Sequence, residues 1–413
     1  MNKYYGNRQI AQGIYISENT FETALNNNDM IIGPSGAGKT GGYVAPLIIN
    51  SSSSMIITDT KGNLAKNYGN LLRRKGFNVM TLDFVNPENS CGYNPLDYVG
   101  RDRLGRYSEK DIKTITNALV QPSDSEDRFW TESARTVIET LIAFVLEYLP
   151  KEEHNLASVV ECYRLIGSRG GGLGVGFLNE VELTAPESIT ARRYSTFKQV
   201  MAAEKTWGCI NQFVTNALNQ FYIGEVMDML QQENSLRIEA IGNAPTALFV
   251  NVSDSDRSLD GLVNIFYTQC LRTLIKEADK NPNSRLRVPV RLVLDDFAAS
   301  TIIPDFDNLI SIIRSRDIYV SVILQSLTQL DSKYGVSNAR TIINNCDHIV
   351  YLGGSDSDTC DYIANRSGMT PDKIMYMPLD KEILIERGSR GRFVDKVKPY
   401  SFTESGSAET PQG

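Results

Sequence analysis

Histidine is nearly missing from this chain: His154 and His348 are the only two. The six cysteines, Cys91, Cys162, Cys209, Cys270, Cys346 and Cys360, include no C-x-x-C pair. A zinc site is therefore not expected, and no chemistry is assigned to either histidine. Scattered thiols in a chain of this size read as buried groups in a reducing cytoplasm. No apolar run approaches the roughly 18–20 residues that span a bilayer. The longest, Leu141 to Leu146, reads as a piece of core helix, and Met1 to Gly6 lacks the apolar stretch of a signal peptide. A basic excess is missing too. The net charge of −7 argues against a surface coated for nucleic acid, although a local basic pore stays compatible with it. What is present is an ordinary globular mixture, 41% apolar and 22% charged over 413 residues. That is enough for a large core and for two to three domains of roughly 100–200 residues each.

The apolar residues are arranged in two textures. Met30 to Ile32, Met55 to Thr58 and Asn78 to Leu82 are short apolar runs separated by helical stretches, the pattern of a parallel sheet with crossovers. Between 101 and 240 helical periodicity takes over. Trp130, Ala134, Val137, Ile138, Leu141, Ile142 and Val145 recur at three- and four-residue steps. They predict a helix from Asp127 to Tyr148, closed by Pro150, with Phe129 and Trp130 as core residues at its start. Strand-like runs return at Thr246 to Val252, Val290 to Leu294, Ile318 to Leu324 and His348 to Leu352, with a helix over 257–278. The last dozen residues are small and polar.

One segment carries chemistry outright. Gly33-Pro34-Ser35-Gly36-Ala37-Gly38-Lys39-Thr40 matches G-x-x-x-x-G-K-[ST] without a mismatch. Glycines let backbone N–H groups curl around phosphate oxygens. Lys39 reaches the β- and γ-phosphates, the Thr40 hydroxyl ligates Mg²⁺, and the following helix aims its positive end at the phosphates. The cofactors expected are ATP and Mg²⁺. The complementary half of such a site is an apolar strand ending in acids, and Leu292-Val293-Leu294-Asp295-Asp296 supplies one. Asp295 is expected to hold Mg²⁺ through water and Asp296 to orient the attacking water. Asp59 and Lys61 end a neighbouring strand and are candidates for a supporting role.

The phosphate loop, Asp59-Thr60-Lys61-Gly62 and Tyr93-Asn94-Pro95-Leu96 together resemble the type IV coupling proteins of conjugation, the TraG/TraD group. Leu294-Asp295-Asp296-Phe297-Ala298 is similar to that family's acidic strand end, and Gln325-Ser326-Leu327-Thr328-Gln329-Leu330 to its glutamine motif; Tyr334-Gly335 and Asn344-Asn345-Cys346 follow. The resemblance runs from about residue 29 to 400 and is weakest across the helical stretch. It implies an α/β, RecA-like P-loop NTPase with a mainly parallel sheet interrupted by an all-helical insertion domain. The nucleotide-binding domain would occupy 1–100 and 241–400, the insertion 101–240, and a disordered tail 401–413. It further implies a hexamer when active, and a monomer when isolated, that hydrolyses ATP at the cytoplasmic face of the cell membrane. Such a ring passes single-stranded DNA with its attached relaxase, delivered as a relaxosome, to the channel ATPase and inner-membrane components of a type IV secretion system. By the same resemblance Gln325 would sense the γ-phosphate, and Arg314 would be an arginine finger reaching a neighbour's site, with Arg316 competing for that part.

This chain departs from the family pattern twice. Asp296 stands where the family usually carries Glu, one methylene longer, which predicts slow turnover. The family usually begins with transmembrane helices and this chain has none. It is either a soluble piece of a longer protein or a membrane-free member. Two other readings remain. One is an FtsK/HerA-like DNA translocase, against which the helical insertion and Tyr93-Asn94-Pro95-Leu96 speak. The other is a docking platform that binds nucleotide with little hydrolysis. Three basic clusters, Arg192-Arg193 with Lys198, Arg285 to Arg291, and Arg387 to Lys398, are candidates for lining a DNA pore beside aromatics such as Phe393.

Overall fold

Strands in the interior of a parallel sheet are covered on both faces, so they read as continuous apolar runs rather than alternating ones. The computed structural model, which describes residues 3–120, 128–167, 171–232, 235–297, 302–398, 401–402 and 408–409, shows that pattern. Strands β1 (Asn7–Ala11) and β2 (Ile14–Ser17) form an antiparallel hairpin. The main sheet contains β3 (Asp29–Ile32), β4 (Ser54–Asp59), β5 (Asn78–Asp83), β6 (Thr246–Asn251), β7 (Val290–Leu294), β8 (Ile318–Leu324), β9 (His348–Tyr351), β10 (Lys381–Glu386) and β11 (Arg392–Asp395). Its order is β11-β10-β9-β3-β8-β7-β4-β6-β5. Every residue of β3, β4, β6, β7, β8 and β9 is buried. These six run parallel to one another, while β10 and β11 turn antiparallel at one edge. The outermost strand, β11, is short and largely exposed, with Arg392 at its start, features that discourage edge-to-edge pairing. The tail expected over 401–413 lies outside the described residues, apart from 401–402 and 408–409.

By contacts the chain divides into two units, one of residues 1–81, 237–255 and 273–413, the other of 82–236 and 256–272. The first holds the sheet, with helices α1 (Ala45–Asn50) and α2 (Leu64–Arg74). The second is helical. It contains α3 (Glu109–Leu119), α4 (Arg128–Tyr148), α5 (Leu156–Ile166), α6 (Leu173–Thr184), α7 (Ile189–Met201), α8 (Glu204–Leu218) and α9 (Gly224–Gln231). Helix α10 (Asp260–Asp279) begins in this unit and ends in the other.

Helix α4 is the hub of the helical unit, packed by α3, α5, α7 and α8. Its buried positions surround most of its circumference, as expected of a helix with neighbours on several sides. The one acid in that buried set, Glu139, pairs with Arg193 at 3.0 Å and accepts from Thr116 at 3.3 Å. Glu147 accepts the backbone N–H groups of Ile189 and Thr190 at 3.1 and 2.9 Å, placing a carboxylate on the positive end of α7. Sequence periodicity misplaced one side chain here. Phe129 was expected in the core and is 56% exposed, while Trp130 beside it is half-buried.

A second buried polar set lies beneath the sheet unit. Asp29, fully buried at the start of β3, accepts a bidentate pair of bonds from Arg8 at 2.8 Å, one from Arg291 at 3.1 Å and one from Tyr43 at 2.6 Å. Arg291 also donates to Ser321 Oγ at 3.1 Å and lies 3.4 Å from Glu18. Burial opposes ionisation of Asp29, but the two guanidiniums outweigh it and hold the carboxyl far below the usual carboxylate range. The sequence reading had counted Arg291 in a surface basic cluster; it is 1% exposed. Removing one member of such a set strands the others. Asp29→Asn should therefore destabilise the chain by about 3–5 kcal/mol, read as a lowered urea midpoint. A loss below about 1 kcal/mol would mean that Glu18 alone balances both arginines.

Candidate functional site

Parallel strands deliver their C-terminal ends to one edge of a sheet, and ligand sites in such sheets form along that edge. Here the edge carries, in strand order, Leu352 after β9, Gly33 after β3, Gln325 after β8, Asp295 after β7 and Asp59 at the end of β4. The phosphate-loop strand and the acidic strand are thus separated by β8 alone. Ile32 pairs with Leu324 and Leu294 with Val322.

The loop from Gly33 to Gly38 needs its glycines. A Cβ on Gly33 would lie 2.8 Å from Leu352 Cβ and 3.1 Å from Ala37 Cβ, closer than real contacts allow. Gly36 and Gly38 have φ of 78° and 97°, in the left-handed region that side chains disfavour. Lys39 is buried, and its ammonium donates to the Gly33 and Pro34 carbonyls at 2.8 and 3.2 Å. The chain is helical from there on, first as a wide π turn over Lys39–Val44 and then as α1. Pro46 supplies a reason for the wide turn. It has no N–H to continue an α ladder, and its ring would strike the carbonyl four residues back. Thr40 is exposed in the first turn.

Asp295 is 8% exposed. Burial, reinforced by the neighbouring Asp296 carboxylate and opposed by Lys39, pushes its carboxyl up to about 6. Asp296 sits at φ 48°, an unfavourable backbone for a residue with a side chain, and its N–H donates to Asp295 Oδ1 at 3.0 Å. Gln325 is exposed, and its Nε2 lies 3.4 Å from Asp296 Oδ1. Asp59 accepts the Leu64 and Lys61 N–H groups at 2.6 and 3.1 Å, so its carboxylate shapes the turn after β4, while the Lys61 side chain is exposed.

The structure therefore gathers the loop Gly33, Pro34, Ser35, Gly36, Ala37, Gly38, Lys39 and Thr40 with Asp295, Asp296 and Gln325 at one edge. It does not bring Arg314 there. Arg314 precedes β8, at the opposite end of a 7-residue strand, roughly 23 Å away at about 3.3 Å per residue. Its guanidinium donates to the Ala24 carbonyl at 3.1 Å, and Arg316 is engaged by Asp279 at 2.9 Å. Among the other basic candidates, Arg192 and Arg193 pair with Glu109, Lys198 pairs with Glu182, and Arg285 pairs with Asp317. Ala298 of the acidic strand end lies outside the described residues. Sequence reasoning missed Leu352, whose packing against Gly33 appears only once β9 and β3 are paired. It also missed Lys396, counted with a surface cluster, which donates to the Leu352 and Ala37 carbonyls at 2.9 and 3.3 Å.

A buried carboxyl with a raised pKa costs stability when it ionises. The folded value of Asp295, about 6, lies above its ordinary 3.8. The folded state then holds more proton between those values, and stability falls as pH rises through that window. Asp295→Asn should stabilise the nucleotide-free chain by about 1–3 kcal/mol at pH 7.5. The gain should fade as pH drops from 6 toward 4, followed by thermal unfolding at several pH values. A pH-independent difference would contradict the assignment.

Comparison with known proteins adds three findings. The family described as Type IV secretory system Conjugative DNA transfer matches residues 3–370. The conjugal transfer protein TraG of Escherichia coli is 21% identical over 352 residues, covering 82% of this chain and 54% of that protein. The type IV secretion system-coupling protein VirD4 of Bartonella henselae is 22% identical over 387 residues, covering 90% and 57%. The chain spans about half the length of the curated relatives it matches. Among solved structures, the plasmid coupling protein TrwB with the ATP analogue ADPNP aligns with a TM-score of 0.70 at 15% identity, over 97% of this chain and 91% of that one. TrwB with ADP and Mg²⁺ aligns with a TM-score of 0.70 at 16% identity, over 98% and 91%. At that identity the likeness speaks for the fold, an α/β P-loop NTPase of RecA-like architecture.

Proposed function

Because the chain belongs to the type IV secretory conjugative DNA transfer family, we propose that it is the ATP-hydrolysing part of a coupling protein, which recruits a relaxosome and drives single-stranded DNA into a type IV secretion channel. The observation that carries this reading is the shared sheet edge, where a glycine-shaped loop with Lys39 faces a raised-pKa acid, Asp295, across one strand. The family match sets aside the FtsK/HerA-like alternative. Among the described residues no helix is long and apolar enough to cross a membrane. The cytoplasmic face of the membrane is the proposed place of action, with the channel ATPase and inner-membrane components as partners.

The residues fit ATP and Mg²⁺. The loop is tight at Gly33, and its Ser35, Gly36 and Gly38 N–H groups have no backbone acceptor among the described residues. The Thr40 hydroxyl and Asp295 are hard oxygen donors suited to Mg²⁺. Bound Mg²⁺ would neutralise charge developing on the phosphates. Lys39, now on the Gly33 and Pro34 carbonyls, would turn to the phosphate oxygens, and Thr40 directly and Asp295 through water would hold the metal. Lys39 lowers the cost of ionising Asp295 beside Asp296, and a bound divalent cation would lower it further, so that Asp295 would work ionised. Asp296 accepts a proton-bearing water and orients it, and Gln325, already beside Asp296, contacts the γ-phosphate side. Arg314 faces away from its own chain's site, which suits a finger given to a neighbouring subunit in a hexameric ring.

Mixing two defective proteins tests both the site and the ring. Lys39→Ala alone should bind no ATP. Arg314→Ala should bind it normally but lose about 10³-fold or more in turnover. The two mixed should recover activity, more so with single-stranded DNA, in a steady-state phosphate-release assay. Concentration-independent turnover unaffected by Arg314→Ala would refute the trans arrangement. Tight binding without turnover under every condition would leave a docking platform. Within the same assay Asp296→Glu should match or exceed wild type and Asp296→Asn should fall about 10²-fold; an active Asn variant removes Asp296 from the water-positioning role.

A further inference from the structure

Strand β11 reaches the nucleotide edge by two reversals. β9 runs toward that edge, β10 returns antiparallel to it with Ile383 opposite Tyr351, and β11 runs forward again with Asp395 opposite Lys381. The next residue, Lys396, therefore emerges beside the phosphate loop, beyond the segment 3–370 that the family match covers. Its backbone N–H is bonded to the Asp380 carbonyl at 3.0 Å, and Gln12 bonds the Asp395 carbonyl at 3.0 Å and the Lys398 N–H at 3.2 Å. The segment is thus pinned on both sides. Its side chain ends with Nζ 2.9 Å from the Leu352 carbonyl and 3.3 Å from the Ala37 carbonyl.

The contact with Ala37 has a geometric consequence. A trans peptide holds its C=O and N–H antiparallel. An ammonium that draws the Ala37 carbonyl to one side therefore aims the N–H of Gly38, the other half of the same peptide, to the opposite side. That N–H has no backbone acceptor among the described residues. On the far side of that peptide Gly38 has φ 97° and nothing within 4 Å of an added Cβ, so no side chain crowds it there. A cation on the carbonyl also strengthens the N–H as a donor, as linked hydrogen bonds polarise one another.

Lys396 is half-buried, with acidic residues about it. Burial pushes its pKa down, opposed by the Glu382 and Asp380 carboxylates. Glu382 is 3% exposed on β10, and its Oε1 has no hydrogen-bond partner. Burial, offset by Lys396, pushes its carboxyl up to about 8.

We propose that Lys396 is a positioning residue of the nucleotide site, which by clamping the Ala37 carbonyl on the outer side of the loop sets the Gly38 N–H toward the phosphate. The inference rests on the nucleotide-binding reading above. Lys396 touches no phosphate itself; it orders one donor of the cradle before the ligand arrives and lowers the cost of binding.

Titration of the full chain with a fluorescent N-methylanthraniloyl ADP and Mg²⁺ tests it, with thermal unfolding and steady-state hydrolysis alongside. Lys396→Met should weaken binding about tenfold or more. It should raise KM for ATP by a similar factor while keeping kcat within about twofold, since the clamp serves ground and transition states alike. Lys396→Arg, which keeps a cation at the carbonyls, should recover most of the affinity. A merely structural role would lower the unfolding midpoint and kcat together and would not separate KM from kcat. Wild-type affinity in Lys396→Met, or an Arg variant as weak as Met, overturns the proposal. Absence of nucleotide binding in wild type, unchanged by Lys39→Ala, overturns the nucleotide reading, and the proposal with it.

Discussion

The sheet unit depends on one buried carboxylate. Asp29 receives hydrogen bonds from Arg8 on the N-terminal hairpin, Arg291 on β7 and Tyr43 in the helical turn after the phosphate loop. Tyr43 in turn contacts Ser321 on β8 at 2.7 Å, and Arg291 donates to the same hydroxyl. The three strands that carry the loop, the glutamine and the acids are therefore cross-linked beneath the site by fixed polar geometry. Hydrophobic packing alone would tolerate small slips between them; a bidentate guanidinium does not. The cost is a cluster of charges taken out of water, acceptable because nearly every member is paired.

The opposite end of the same strands is built the other way. At the nucleotide edge several groups are left in unfavourable settings: Ser35, Gly36 and Gly38 N–H groups without a backbone acceptor among the described residues, an acid whose carboxyl is pushed up to about 6, and a second acid on strained backbone at φ 48°. The free N–H groups and the buried acid are of the kind that a phosphate and a divalent cation would relieve. Stability at one end of β3, β7 and β8 supports frustration at the other.

The two ends also separate the proposed cis and trans parts of the reaction. Lys39, Asp295, Asp296 and Gln325 converge within a chain, whereas Arg314 stands on the far end of β8. A finger at that distance serves only a neighbour, which would make hydrolysis a property of the ring. Lys396 plays the converse part in the proposal, a residue remote in sequence that acts within its own chain.

How much of this was legible beforehand varied with the range of the interaction. The interior strands announced themselves as short apolar runs, and Ile318–Leu324 and Val290–Leu294 appear with the bounds the sequence suggested. Helix α4 ends at Tyr148, as its periodicity and Pro150 required. The position of Lys39 between a buried strand and a helix followed from the loop motif, because glycine spacing is a local constraint. The edge strands β10 and β11 were not anticipated, since mixed polar runs such as Lys381–Glu386 acquire a direction only by pairing with β9. Arg291 and Lys396 were counted with other cations in clusters that could line a DNA pore. A charge is assigned to bulk water by default, and only the folded arrangement of Asp29, Glu18 and the loop carbonyls provides a better place for it. The sequence by itself thus determined the elements and the chemistry of the loop, which depend on near neighbours. The tertiary structure decided which buried charges meet and which carbonyl a distant lysine holds, because those energies exist only between residues brought together from far apart in the chain.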